Sequence, residues 1–141
     1  VKRIGILDLD MHFGNGTEEI MDLLQVSFVR HFTGGALYDS PTQVPVFFQH
    51  LPKILDKMSD CDVVLYQAGA DPHINDPYGG WLTTDELRRR DAVVFDALKS
   101  LGVPVAWDLA GGYQREPDGS IPKVLEIHDN TMRECVRTFG T

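Results

Sequence analysis

The sequence predicts an α/β domain built on a parallel sheet. Its apolar segments lack polar alternation, which is typical of strands that are buried in a parallel sheet. Segments with apolar residues at helical spacing separate these strands. The chain has 141 residues, the size of one ordinary domain, and its sequence shows no repeat, low-complexity tract or linker. We therefore interpret residues 1–141 as a single domain.

The predicted elements alternate along the chain. Thr83 and Glu86 match a capping box that opens a helix, and Gly102 ends that helix. Pro52 should kink or divide the helix in which it lies. In chain order, the predicted elements are a strand at 2–9, a helix at 17–24, a strand at 26–29, a loop at 33–45, a helix at 46–58, a strand at 62–68, a helix at 83–100, a strand at 103–109 and a helix at 122–139.

Composition excludes several classes of function. A net charge of −8 argues against nucleic acid or an anionic membrane as a partner. No apolar run reaches the length of a transmembrane helix, and no signal-peptide pattern is present at the start. Cys61 and Cys135 are too few and too far apart for a disulfide framework. We therefore expect reduced thiols and a cytoplasmic protein.

The first strand ends in three residues that could bind a metal. Asp8, Asp10 and His12 alternate directly before a glycine-rich turn, and alternate side chains of a strand share one face. Two carboxylates and an imidazole suit a zinc-like divalent cation. In a simpler interpretation, Asp8 and Asp10 cap the next helix while His12 packs in a loop.

Two more chemically active residues follow predicted strands. Asp71 comes just after the third strand, at the level of Asp10 on the first. Tyr113 follows Gly111 and Gly112 at the end of the fourth strand. Open α/β sheets bind their ligands at the carboxyl ends of the strands. We therefore expect these residues to lie near one another.

Taken together, these motifs resemble the second half of the histone deacetylase family, and the bacterial deacetylase-like amidohydrolases and acetylpolyamine amidohydrolases are the most similar members. The resemblance covers nearly the whole chain. It implies a truncated three-layer α/β/α sandwich with a parallel sheet, of the arginase type. The matching segments are residues 8–17, 68–77, 110–113 and 128–132.

The resemblance also implies a reaction. Asp10, His12 and Asp71 would bind Zn²⁺ or another divalent metal and leave a position open for water and a substrate carbonyl. Tyr113 would donate a hydrogen bond to the oxyanion of the tetrahedral intermediate. The substrate would be a small acetylated amine or acetyl-lysine. Its channel would be lined by Phe13, His73, Gly111 and Gly112.

The chain departs from the family at two points. The family's general base and acid are a histidine pair upstream of Asp8, and only seven residues precede Asp8 here. We therefore expect the isolated chain to be a weak or inactive amidohydrolase. Asp8 would also belong to a second site, for K⁺ or Na⁺. At that site, however, Val29, Arg30 and His31 stand where the family has Ser-x-His.

Two alternative functions remain open. The first is a non-catalytic remnant that binds a metal or a partner. The second is a magnesium phosphatase of the haloacid dehalogenase type. In that enzyme Asp8 would be the nucleophile, Asp10 the acid and base, and Asp71 and Asp76 metal ligands. The phosphatase gives no role to His12 or Tyr113.

The fourth predicted strand indicates self-association. In the family's sheet, the strand that matches residues 103–109 pairs on one side with a strand from the first half of the domain. Without that half, residues 103–109 would form an apolar edge with unpaired backbone groups. We therefore expect a homodimer or a higher oligomer.

Overall fold

The structure is a computed structural model that describes residues 1–140, and it contains every predicted strand and helix. The strands and helices alternate along the chain, as the sequence predicted. Their bounds are β1 Ile4–Asp8, α1 Asn15–Leu23, β2 Val29–Thr33, α2 Val44–Asp56, β3 Val63–Gln67, α3 Thr84–Leu101, β4 Val105–Asp108 and α4 Pro122–Phe139.

The four strands form one parallel sheet in the order β2-β1-β3-β4. The pairing brings their carboxyl ends to the same level. Asp8 at the end of β1 pairs with Thr33 of β2 and with Gln67 of β3. Gln67 in turn pairs with Asp108 at the end of β4. Loops that leave β1, β3 and β4 therefore start from neighbouring points on one edge of the sheet.

Helices α2, α3 and α4 cover one face of the sheet. Leu7 and Tyr66 on that face are fully buried, and the ring of Tyr66 lies against Phe95 of α3 at a centroid distance of 5.8 Å. Phe95 also contacts Trp107 of β4 and Phe139 of α4. These contacts join α3, α4 and the sheet, and Leu51 and Leu55 of α2 belong to the same apolar core.

The opposite face is covered only in part within residues 1–140, although the sequence predicted cover on both faces. Helix α1 lies over the β2 side of this face, where Glu18 Oε1 is 3.8 Å from His31 Nδ1. On β3, Leu65 is 41% exposed, and Ala106 beside it on β4 is also exposed. The alternation of buried and exposed residues along β3 and β4 follows from this one-sided cover.

The predicted position of β2 was wrong. Strand β2 begins at Val29 rather than at residue 26. Gln25 adopts a positive φ of 53°, and the Val26 N–H donates to the Met21 carbonyl, so these residues complete the C-terminal turn of α1. The predicted loop at 33–45 also contains two short 3₁₀ turns, at Gly34–Ala36 and Pro41–Gln43.

The helix ends mostly follow the sequence. The Thr83 side chain accepts from the Glu86 N–H, and Gly102 has a left-handed φ of 69°, as the capping signals predicted. Pro52, however, lies inside a continuous α2. It is on the exposed side, while Leu51 and Leu55 are buried, and the burial of that apolar face holds the helix together despite the lost hydrogen bond. Across residues 1–140, no helix has the length and apolar character required to cross a bilayer.

Candidate metal centre

Three of the predicted site residues come together at the carboxyl edge of the sheet. Asp10 and His12 follow β1, and Asp71 follows the adjacent strand β3. Each residue offers one ligand atom, and these atoms all lie within 4.8 Å of one another. His12 Nδ1 is 3.0 Å from Asp71 Oδ2 and 3.3 Å from Asp10 Oδ1. The structure thus places an imidazole and two carboxylates around one point.

Backbone N–H groups orient the two carboxylates. The Met11 N–H donates to Asp71 Oδ1 at 3.2 Å, and the His12 N–H donates to Asp10 Oδ1 at 3.0 Å. From the β4 side, the Gly111 N–H donates to Asp10 Oδ2 at 2.8 Å. Backbone N–H groups of the loops after β1 and β4 therefore both orient the two carboxylates.

Burial and proximity shift the pKa values of all three residues. Burial, together with the hydrogen bond and charge of Asp10, raises the pKa of Asp71 to about 7. Burial alone would raise the pKa of Asp10, but hydrogen bonds from the His12 N–H, Asp71 and the Gly111 N–H outweigh it and lower that pKa. The pKa of His12 is raised, because its contacts with Asp10 and Asp71 outweigh desolvation.

The donor set fits a divalent cation of the zinc type. Mixed carboxylate and imidazole ligands are those that zinc takes in catalytic sites, and three protein ligands leave a coordination position open. Protons held among the triad are the ones that a metal ion displaces when it binds. Asp71 is fully buried, so a cation there would neutralise a carboxylate that water cannot reach.

Two glycines leave room for the triad. A Cβ at Gly111 would collide with Asp71 Oδ2 and would lie 2.5 Å from Asp10 Oδ2. A Cβ at Gly69 would lie 2.6 Å from Asp71 Oδ1. Gly112, predicted to line the substrate channel with Gly111, packs against the core on one side, where a Cβ would lie 2.8 Å from Val124 Cγ1. The absence of a side chain thus lets Gly111 lie close to the two carboxylates and lets Gly112 pack closely against Val124.

Tyr113 lies beside the triad. Its ring meets the His12 ring edge-on at a centroid distance of 6.2 Å, and the side chain is 43% exposed. Its backbone N–H donates to Asp76 Oδ2 at 2.9 Å, and its ring packs edge-on against Tyr78 at 5.0 Å. Desolvation and the charges of the nearby carboxylates raise the pKa of Tyr113, so its hydroxyl keeps a proton to donate.

Asp8 lies next to the triad rather than within it. Its Oδ1 accepts from the Asp10 N–H at 3.1 Å, and burial raises its pKa to about 6. The simpler interpretation, in which it caps α1, does not hold, because that helix has no side-chain cap. Near Asp8 the structure places the imidazole of His31, whose buried ring nitrogens have no hydrogen-bond partner among residues 1–140. Hard cations take oxygen ligands, so this neighbour does not favour the K⁺ or Na⁺ that the resemblance implied.

The two other predicted channel residues differ in exposure. Phe13 is 45% exposed next to His12. His73 is buried, with Nε2 3.1 Å from Thr84 Oγ1 and Nδ1 3.0 Å from Gln114 Nε2. Both of its ring nitrogens are therefore engaged in holding the loop after β3.

Sequence reasoning missed two charged residues near the site. Asp76, considered only as a phosphatase ligand, binds the backbone N–H groups of Tyr78 and Tyr113. Arg90 of α3 is fully buried beneath the strand ends. A signal for Arg90 exists, since residues 90 and 91 fall on the apolar stripe that Leu87, Val94 and Leu98 define.

Comparisons with known proteins support the fold. No protein-family model matches the chain. An uncharacterized protein from Picosynechococcus sp. is 30% identical over 153 aligned residues, which are 96% of this chain and 47% of the relative. The crystal structure of the HDA15 HD domain matches with a TM-score of 0.70 at 22% identity, over 99% of this chain and 46% of the other.

The structural match defines the class of fold. The chain has a deacetylase-like α/β fold with a parallel sheet, which confirms the predicted fold class. It spans about half the length of each of these two proteins.

Proposed function

We propose that this chain carries the metal centre of a zinc-dependent amidohydrolase that removes acetyl groups from acetyl-lysine or small acetylated amines. The observation that carries the proposal is the convergence of Asp10, His12 and Asp71 beside Tyr113. The deacetylase-like fold of the chain supports it.

In this proposal the triad would hold the cation. When bound, the metal supplies Lewis-acid polarisation of the amide carbonyl and lowers the pKa of water. Fixed backbone donors at Met11 and Gly111 keep the carboxylates of Asp71 and Asp10 turned inward. They do so before any ligand arrives, which lowers the reorganisation that binding requires.

Tyr113 would act on the substrate. Its hydroxyl stays protonated, because desolvation and the charges of neighbouring carboxylates raise its pKa, and it can therefore donate to an oxyanion. Asp76 holds the Tyr113 backbone, and the Tyr78 ring limits movement of the Tyr113 side chain. Phe13, which is exposed and directly follows His12 in the chain, would line the path of an acyl chain to the triad.

A non-catalytic metal-binding role is the second candidate. His73 is the imidazole that follows the Asp71 loop, and its engaged nitrogens leave it no free lone pair for acid–base chemistry. The phosphatase alternative is less consistent with the geometry. Asp8 is 5% exposed and accepts a backbone hydrogen bond, which does not suit a nucleophile.

Binding of a hydroxamate analogue of acetyl-lysine tests the amidohydrolase proposal, because a hydroxamate needs both the metal and the oxyanion donor. We expect calorimetry to detect binding with Zn²⁺ and none without it. Replacing Tyr113 by Phe should weaken this binding and leave Zn²⁺ affinity unchanged. Metal-independent binding, or binding that Y113F leaves intact, would contradict the proposal.

A further inference from the structure

Helix α3 carries a buried ion pair beneath the metal centre. Arg90 and Asp91 both have 0% exposure, and Arg90 Nε donates to Asp91 Oδ1 at 2.8 Å. Removing two charges from water is costly, and apolar residues of similar size often serve stability as well or better. The pair therefore calls for an explanation beyond stability.

Arg90 contacts the two loops that carry the carboxylate ligands. Its Nη1 donates to the Leu9 carbonyl at 3.1 Å and to the Gly69 carbonyl at 2.9 Å. Leu9 directly precedes Asp10, and Gly69 lies two residues before Asp71. One guanidinium nitrogen thus ties together the two backbone segments whose carboxylates must meet at the cation.

The guanidinium is held by Asp91, which is itself held by two further side chains. Asp91 accepts from the Tyr66 hydroxyl of β3 and, at 2.6 Å, from Thr131 Oγ1 of α4. The Arg90 Cζ atom lies 5.9 Å from the centroid of the Tyr66 ring. A planar guanidinium with several fixed donors suits this task, whereas an ammonium group cannot reach Asp91 and both carbonyls in the same geometry.

We propose that Arg90 is a positioning residue of the metal centre, which sets the separation of Asp10 and Asp71 by binding the Leu9 and Gly69 carbonyls. The inference rests on the proposed function, because it assumes that the triad binds a divalent cation. Groups that orient metal ligands typically change affinity by roughly 10–100-fold when they are removed. A residue that serves only stability would leave the affinity of the folded chain unchanged.

The test compares metal affinity among folded variants. Arg90→Lys and Arg90→Met remove the bridge, and Leu98→Ala is the matched control. Leu98 is a fully buried residue of α3 that lies about 12 Å along the helix from Arg90. Calorimetric titration with Zn²⁺ gives the dissociation constant, and the absorption spectrum of bound Co²⁺ reports the arrangement of the ligands.

We expect roughly 10–100-fold weaker Zn²⁺ binding and a changed Co²⁺ spectrum in both Arg90 variants. Leu98→Ala should bind as tightly as the unmodified chain, although its core is destabilised. Wild-type affinity in a folded Arg90 variant overturns the positioning role, and if R90M does not fold, R90K decides the matter. If the unmodified chain binds no divalent cation, the proposed function itself fails and the positioning role fails with it.

Discussion

Replacing Gly111 by Ala should disrupt the metal centre through a single methyl group. The added Cβ would lie 2.5 Å from both Asp10 Oδ2 and Asp71 Cγ, whereas real Cβ contacts stay beyond 3.0 Å. The loop or the carboxylates must therefore move by about half an ångström. The same movement strains the hydrogen bond from the Gly111 N–H to Asp10, which is 2.8 Å long.

The magnitude follows from this overlap. First, overpacking of this kind costs about 1–3 kcal/mol of folding free energy. Second, displaced ligands should weaken Zn²⁺ binding by roughly tenfold or more, which corresponds to about 1.4 kcal/mol of binding free energy. Urea unfolding of the metal-free chain measures the first quantity. Calorimetric titration with Zn²⁺ measures the second.

Gly16 provides a matched control for the glycine substitution. It lies in α1, and a Cβ there would meet no atom within 4 Å. Gly16→Ala should leave Zn²⁺ affinity unchanged and stabilise the chain by up to about 1 kcal/mol, since alanine favours helix. If G111A binds Zn²⁺ as tightly as G16A and is equally stable, the close approach of Gly111 to the carboxylates does not constrain the site.

Three further predictions concern pH, activity and association. Because the pKa of Asp71 rises from 3.8 to about 7 on folding, urea unfolding of the metal-free chain should show stability falling as pH rises through that range. Asp71→Asn should reduce this fall, and an unchanged pH profile would contradict the shift. With Zn²⁺, the isolated chain should hydrolyse acetyl-lysine peptides very slowly. General acid–base catalysis is worth about 10²–10⁴-fold, and His73 cannot supply it because both of its ring nitrogens are already hydrogen-bonded. Rapid turnover would show a base that we have not identified. Within residues 1–140, β4 pairs only with β3, and Leu65 on the uncovered face is 41% exposed. Because an unpaired strand edge beside exposed apolar surface favours association, sedimentation velocity should detect a dimer. Leu65→Lys should weaken this dimer. A monomer at micromolar concentration would contradict this expectation.

The bounds of α4 and the convergence of Asp10, His12 and Asp71 could both be predicted from the sequence. The predicted bounds of α4 match the structure, from Pro122 to Phe139. Asp10, His12 and Asp71 follow neighbouring parallel strands, and strand ends in such a sheet necessarily meet at one edge. No side-chain detail was needed to bring them together.

Strand β2 was harder to predict because tertiary pairing overrides its local pattern. Arg30 and His31 interrupt its apolar character, and its limits are set by pairing with β1, where Val29 lies opposite Ile4. The strand was predicted to begin at Val26 because this residue is apolar, but the backbone of Val26 belongs to the end of α1.

Arg90 and Asp76 could not be assigned without the loops. Charged residues on a helix usually face water, so Arg90 within an apolar stripe has no evident partner in sequence. Its partners are backbone carbonyls at Leu9 and Gly69, about 81 and 21 residues away along the chain. Asp76 likewise acts through backbone N–H groups, which every residue except proline carries and no motif reveals.

Equilibrium dialysis with elemental analysis shows whether Asp10, His12 and Asp71 form a divalent metal site. We expect one tightly bound Zn²⁺ per chain. This ion should be lost in D10N, H12A and D71N and retained in D56N, a control that removes an exposed carboxylate from α2. Zn²⁺ binding that survives all three triad substitutions, or no binding by the unmodified chain, would show that these residues do not form the metal site.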